Sequence, residues 1–151
     1  MPGFEEGESM TREELKNLLP HRGPMLLLDE AEVIKGRAHG KKLIRDDEYF
    51  LQGHFPDDPI VPGVIQCEIL AQSACVLLGD RANGKVKTFF TGLDHVRFKR
   101  PVRPGDLFTT VCEIEKSKGP FYFAKGSGYV GDELCVSASF SFAVYPEKEE
   151  Q

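Results

Sequence analysis

The sequence predicts an α+β fold in which an antiparallel sheet of five or six strands curls around one long central helix. Three observations carry this. Between Val61 and Gly79 the apolar residues, among them Val64, Ile65, Ile69, Leu70, Ala74 and Leu77, lie on nearly every face of a helical stretch; a helix of that kind is normally buried. From Lys85 onward the pattern changes to strands joined by tight turns. The chain has 151 residues, the size of a single core, so one helix and one large sheet must share it, and the sheet covers the helix by curling.

In chain order, residues 1–9, rich in Glu and Gly, read as a disordered tail, and 10–151 as a single domain without internal repeats. Thr11 to Glu14 (TREE) matches a capping box, and Leu15, Leu18 and Leu19 follow at helical spacing before Pro20. A short, partly exposed first helix is predicted. Met25–Ile34 reads as a strand buried at one end, with Arg37–Ile44 as its antiparallel partner across Lys35 and Gly36. The long helix has Pro62 in its first turn, where a missing N–H is harmless, and Gly79 as C-cap. Strands follow over Thr88–Lys99, Leu107–Glu115 and Phe121–Val130, turning at Pro104–Asp106 and Lys118–Pro120. After a turn at Gly131 and Asp132, the apolar series Leu134, Val136, Ala138, Phe140, Phe142 and Val144 alternates with small residues, which predicts a last strand with one buried face.

The composition, 40% hydrophobic and 28% charged, is that of a soluble globular protein. A net charge of −5 argues against nucleic acid as the main partner. The acidic N-terminus does not look like a signal peptide, and no window reaches the ~18 apolar residues of a membrane span. These features predict a cytoplasmic protein. Cys67, Cys75, Cys112 and Cys135 lack CxxC spacing and read as reduced core thiols rather than a zinc or redox site.

The segment GHFPDDPIVPGVIQCEILAQ, Gly53 to Gln72, carries the chemistry. Glu68 and Gln72 stand four apart on one face of a helix that should be apolar. Burial of a carboxylate costs several kcal/mol unless it is paired, hydrogen-bonded or protonated. A solvent-facing strip and a buried ion pair are open readings of Glu68. The functional reading is a general acid, since desolvation disfavours the charged form of a carboxyl. His54 is the candidate base: Pro56, Pro59 and Pro62 restrict the loop between it and the helix, a setting that His21 and His39 lack, while His95 sits in a strand-like run. A metal reading of His54 with Asp57 and Asp58 has no second histidine or cysteine at ligand spacing. Gly63 opens the helix, where free N–H groups can polarise a carbonyl, or simply allows the turn.

Three blocks, LPHRGPMLLLDE, GHFPDDPIVPGVIQCEILAQ and TGLDHVRFKRPVRPGDLF, strongly resemble the (3R)-hydroxyacyl-[acyl-carrier-protein] dehydratase family of fatty acid synthesis, FabZ type. The resemblance runs from Leu18 to Val144. It implies a hotdog fold and a homodimer with two active sites at its interface, each pairing His54 of one subunit with Glu68 of the other, and often a hexamer of three dimers. It implies that His54 removes the proton at C2 of the acyl chain and Glu68 protonates the departing C3 hydroxyl, giving water and a trans-2-enoyl thioester without metal or organic cofactor. In the same carry-over Gly63 N–H binds the thioester carbonyl, the Val64 carbonyl orients His54 through its second ring nitrogen, Gln72 orients Glu68, and Phe55 joins the substrate-binding set. Glutamate at position 68, where the dehydratase/isomerase type usually has aspartate, favours dehydration without isomerisation. Gly23 and Cys67 depart from the larger side chains common in the family and bear on how the acyl chain is accommodated. The acidic carrier protein calls for local positive charge, and Arg97, Lys99, Arg100 and Arg103 form the densest basic cluster, a candidate docking site. The alternatives are a hotdog acyl thioesterase, against which the histidine loop weighs, and a non-catalytic acyl-binding hotdog protein, against which intact His54 and Glu68 weigh.

Overall fold

The computed structural model describes residues 9–81 and 86–146. Seven strands form one antiparallel sheet: β1 (Ser9–Thr11), β2 (Glu30–Ile34), β3 (Arg37–Leu43), β4 (Val86–Phe98), β5 (Leu107–Lys118), β6 (Phe121–Val130) and β7 (Glu133–Pro146). Their order across the sheet is β1-β2-β3-β5-β6-β7-β4. The single long helix, α2 (Gly63–Cys75), lies against β3, β5, β6 and β7. This is the hotdog arrangement, with the helix as filling and the sheet as wrapper. Ile69, Leu70, Ala74 and Cys75 are almost wholly buried, as an all-round apolar helix requires.

The turns follow the local chemistry. Lys35 and Gly36 both have positive φ, 52° and 77°, between β2 and β3, the geometry of a two-residue hairpin. In β7, Val136, Ala138, Phe140 and Phe142 are buried while Ser137, Ser139 and Ser141 remain part-exposed. Cys135 and Ala143 are buried as well, because β7 has sheet neighbours on both sides, β6 and β4.

Several expectations change. The additional strand is β1; it starts at Ser9, the last residue of the predicted tail, and pairs with β2. Residues 1–8 lie outside the described residues. The capping box is present, with Thr11 Oγ1 accepting from Glu14 N at 3.2 Å and Glu14 Oε1 accepting from Thr11 N at 3.2 Å, but α1 (Arg12–Leu15) is one turn long. The helix is partly exposed, as expected: Glu13 and Glu14 face outward while Leu15 is buried, with Leu18 and Leu19 buried just beyond it. Of the strand predicted over Met25–Ile34, only Glu30–Ile34 joins the ladder; Gly23–Met25 is a 3-10 turn. The polar backbone of Met25 and Leu27 is satisfied by a side chain instead, that of Gln72. Pro62 precedes the long helix as its N-cap: its backbone is non-helical (φ −55°, ψ 142°) while its carbonyl already accepts from Ile65 N and Gln66 N at 3.0 and 3.2 Å. The helix stops at Cys75, earlier than expected, and continues as a 3-10 segment kinked at Gly79 (φ 57°). The Pro104–Asp106 turn does not fold β5 back on β4: Gly105 N and Asp106 O instead bond to Ile44 at 2.8 and 3.0 Å, so β5 enters beside β3 and β4 goes to the far edge beside β7.

Gly40 marks where the helix presses hardest on the sheet. A Cβ there would lie 2.6 Å from Thr110 Oγ1, 2.7 Å from Ser73 Oγ and 2.8 Å from Leu28 Cδ2. Ser73 and Thr110 are themselves joined at 2.7 Å and buried, and Gly40 N donates to Thr110 Oγ1 at 3.0 Å. Nothing at the site can yield cheaply. Gly40→Ala is therefore expected to destabilise the fold by about 1–3 kcal/mol in a denaturant titration, whereas Gly36→Asn in the exposed hairpin turn stays within about 1 kcal/mol.

Candidate active site

His54 sits on a loop that closes on itself. His54 N donates to Leu51 O at 3.0 Å, Ile60 N to His54 O at 2.8 Å, and Phe55 and Asp58 exchange backbone bonds at 3.2 and 3.1 Å. Arg103 holds the outer end through Asp58, with Nε 3.2 Å from Oδ1 and Nη2 3.3 Å from Oδ2. That guanidinium keeps the Asp58 carboxyl below its ordinary range, through its hydrogen bond first and its charge second. At the other end, the nearly buried Lys42 Nζ meets Glu48 Oε2 at 2.8 Å and ties the approach to the loop down to β3.

The His54 ring is fixed by Nδ1, 3.1 Å from Ile60 O. The partner is Ile60 and not Val64, as the resemblance implied. Val64 lies in the first turn of α2, whose carbonyls point along the axis toward the C-terminal end; its side chain is exposed. A carbonyl oxygen can only accept, so Nδ1 carries the proton and Nε2 is left with a free lone pair, the form of a base. Phe55 stacks on His54 with ring centroids 4.5 Å apart. His54, Gly63, Gln66, Phe98, Lys99 and Arg100 line a cavity of about 380 Å³. Gly63 is the first residue of α2, so its N–H has no carbonyl one turn earlier to bond. A Cβ on Gly63 would stand 2.6 Å from the Phe98 ring, so glycine lets that ring close over the helix N-terminus.

Glu68 opens elsewhere. It lines a narrow slot of about 40 Å³ with His21, Ala71, Gln72, Cys75 and, across from them, Phe89, Phe90 and Phe142. Gln72 Nε2 donates to Glu68 Oε2 at 2.9 Å, so the two polar residues do share a helix face. Glu68 is only partly buried: its side chain keeps 21% exposure, and His21 Nε2 reaches the same Oε2 at 3.2 Å. His21 was passed over for want of a rigid setting, and it has one. Arg12 Nη2 donates to Gly23 O and Leu26 O at 2.8 Å each, and Arg22 to Leu19 O at 2.6 Å. No local signal reveals the contact, because 47 residues separate His21 from Glu68. Tyr49 was also missed. Its hydroxyl is 3.1 Å from Met25 Sδ, and burial first, then the negative charges of Glu68 and Glu48, push its pKa up.

Within one protomer His54 and Glu68 thus face different cavities. The basic cluster divides as well. Arg100 pairs with Asp106 and Glu133, and Arg103 with Asp58. Arg97 and Lys99 have no ion-pair partner among the described residues and stand exposed on and beside β4.

Residues 19–139 match the FabA-like domain family. A protein of Natranaerobius thermophilus named 3-hydroxyacyl-[acyl-carrier-protein] dehydratase FabZ is 43% identical over 134 residues, 87% of this chain and 94% of that one. One of the same name from Halalkalibacterium halodurans is 39% identical over 138 residues, 89% of this chain and 99% of that one. Among solved structures, the dehydratase heterocomplex ApeI:P from Xenorhabdus doucetiae superposes with a TM-score of 0.76 at 21% identity, covering 89% of this chain and 91% of that chain. A probable thioesterase from Bartonella henselae superposes with a TM-score of 0.59 at 16% identity over 77% and 96% of the two chains. At those identities the structures share the fold.

Cys75, on the wall of the Glu68 slot, reports on how dry that wall is. Burial first, and the Glu68 charge second, push its thiol from 9.0 to about 12. Between those values the unfolded chain loses a proton that the folded chain keeps, so stability falls as pH rises through that window. Thermal melts from about pH 8 to about pH 10 should show a decline that is shallower in Cys75→Ala. An identical decline in both proteins would place the thiol in contact with water.

Proposed function

The chain belongs to the FabA-like family, and from that membership we propose that it dehydrates 3-hydroxyacyl-[acyl-carrier-protein] to the trans-2-enoyl thioester in fatty acid biosynthesis, as its relatives are named to do. It is a hydro-lyase. The observation that carries the residue assignment is the contact of His54 Nδ1 with Ile60 O: it leaves Nε2 with its lone pair, a base on a side chain that lines the Gly63 cavity. A thioester carbonyl seated on Gly63 N–H at the positive end of α2 acidifies the adjacent C2–H. His54 takes that proton, the C2 electron pair forms the C2=C3 double bond, and the C3–O bond breaks as Glu68 supplies a proton, releasing water. Each acid or base role is worth roughly 10²–10⁴-fold in rate.

In our reading the two groups meet across a homodimer. Support comes from the separate cavities of His54 and Glu68 in one protomer and from β4. This edge strand of 13 residues pairs, among the described residues, with β7 alone and exposes Phe89, Phe90, Leu93 and Phe98. A long apolar edge seeks a partner strand. The acidic carrier would approach the His54 cavity, whose rim bears Lys99 and Arg100, with Arg97 two positions before Lys99 and Arg103 engaged in holding the loop.

Purified protein should convert a 3-hydroxyacyl thioester to the enoyl product, followed by ultraviolet absorbance; release of free thiol without that absorbance would identify a thioesterase. His54→Ala and Glu68→Gln should each lower turnover by at least about 10²-fold with little change in thermal stability. Exchanging subunits between the two inactive variants should return about a quarter of the wild-type activity, since each mixed dimer holds one intact site. No recovery under proven exchange would put both groups in one chain's site.

A further inference from the structure

Both polar contacts of the Glu68 carboxyl fall on one oxygen, a hydrogen bond from Gln72 and a close approach of the His21 ring. Gln72 Nε2 lies 2.9 Å from Oε2 and His21 Nε2 lies 3.2 Å from the same atom. The Gln72 amide cannot be turned over: its Oε1 accepts from Leu27 N at 3.0 Å, and its Nε2 also donates to Met25 O at 2.8 Å, so Nε2 is the donor. For His21 the other ring nitrogen decides. Nδ1 is buried with no hydrogen-bond partner. An orphaned buried N–H is rarer than an under-satisfied acceptor, so the ring proton belongs on Nε2, the nitrogen 3.2 Å from Glu68 Oε2.

We propose that His21 is a positioning residue which, together with Gln72, saturates Oε2 of Glu68 with donors and so confines the transferable proton to Oε1. A proton on Oε2 would face two N–H groups and have no acceptor. Oε1, which accepts from neither residue, is the oxygen left to face the departing C3 hydroxyl. The inference rests on the dehydratase reading of Glu68, and assigns to the opening block LPHRGP a task in the protonation step rather than in folding alone. The segment is built for it: Arg12 clamps Gly23 O and Leu26 O, Arg22 holds Leu19 O, and Gln72 holds Met25 and Leu27, which together bring His21 to α2 from 47 residues away.

The test exploits the leaving group. Wild type, His21→Phe and His21→Gln are assayed on a 3-hydroxyacyl thioester and on the 3-fluoro analogue of equal chain length, from which fluoride departs as the anion and leans less on a proton donor. On the hydroxy substrate His21→Phe should lose at least about 10-fold in kcat, with KM within about twofold. On the fluoro substrate its loss should shrink to less than about threefold. His21→Gln, which restores an N–H donor near the Nε2 position, should recover kcat to within about threefold of wild type. The ratio of the two substrates is taken within each variant, so it does not depend on the fraction folded; His21→Leu repeats the comparison should the phenylalanine not fit. Equal losses on both substrates, an unchanged kcat in His21→Phe, or no recovery in His21→Gln overturns the proposal. A wild-type protein inactive on the hydroxy substrate would overturn the dehydratase reading itself, a different result from active wild type with indifferent variants.

Discussion

Gln72 has no solvent-exposed surface, and its amide is the joint on which the site turns. It is wholly buried in α2, where an unpaired amide would cost on the order of 1–3 kcal/mol. The cost is met by three partners: Leu27 N, Met25 O and Glu68 Oε2. Two of these belong to a segment that cannot join the sheet, and the third is the carboxyl itself. One residue thereby docks the segment before β2 onto the helix, satisfies backbone that has no ladder, and orients Glu68.

The His54 side of the molecule is organised differently. There the backbone does most of the work: Ile60 closes the loop by both its N–H and its carbonyl, and the carbonyl sets the tautomer of the ring. The prolines at 56, 59 and 62 stiffen the same loop and reduce the entropy lost in holding it. Val61 N–H bonds to Val102 O, and α2 begins two residues later at Gly63, which lines the cavity. Arg103, at the surface, secures the outer turn through Asp58, so a residue that looked like part of a free basic patch has a structural task.

The contrast between the two cavities follows from where the strands go. β4 lies at the edge beside β7, far in sheet order from β5, its successor in sequence. This leaves Phe89 and Phe90 over the Glu68 slot and Phe98 over Gly63, all on one strand that touches both cavities. The same strand exposes apolar surface along most of its length. The candidate catalytic cavities thus share one strand, the same one that forms this edge of the sheet among the described residues.

The period-2 series of β7, the all-apolar helix, the capping box and the Lys35–Gly36 turn were legible in the sequence because each depends on residues within a few positions of one another. Glu68, Gln72 and His54 stood out as candidates for the same reason: a polar pair on an apolar helix and a histidine ahead of a run of prolines are local anomalies. Tertiary structure alone decided that Gln72 takes the backbone of Met25 and Leu27 out of the predicted strand, that Ile60 rather than Val64 holds His54, and that His21 reaches Glu68. Those are bonds whose partners are set by the path of the folded chain, and hydrophobic periodicity is blind to that path. Composition and spacing determined which residue types this protein would bring to its chemistry; the packing of one segment on one helix decided which oxygen of Glu68 is left free.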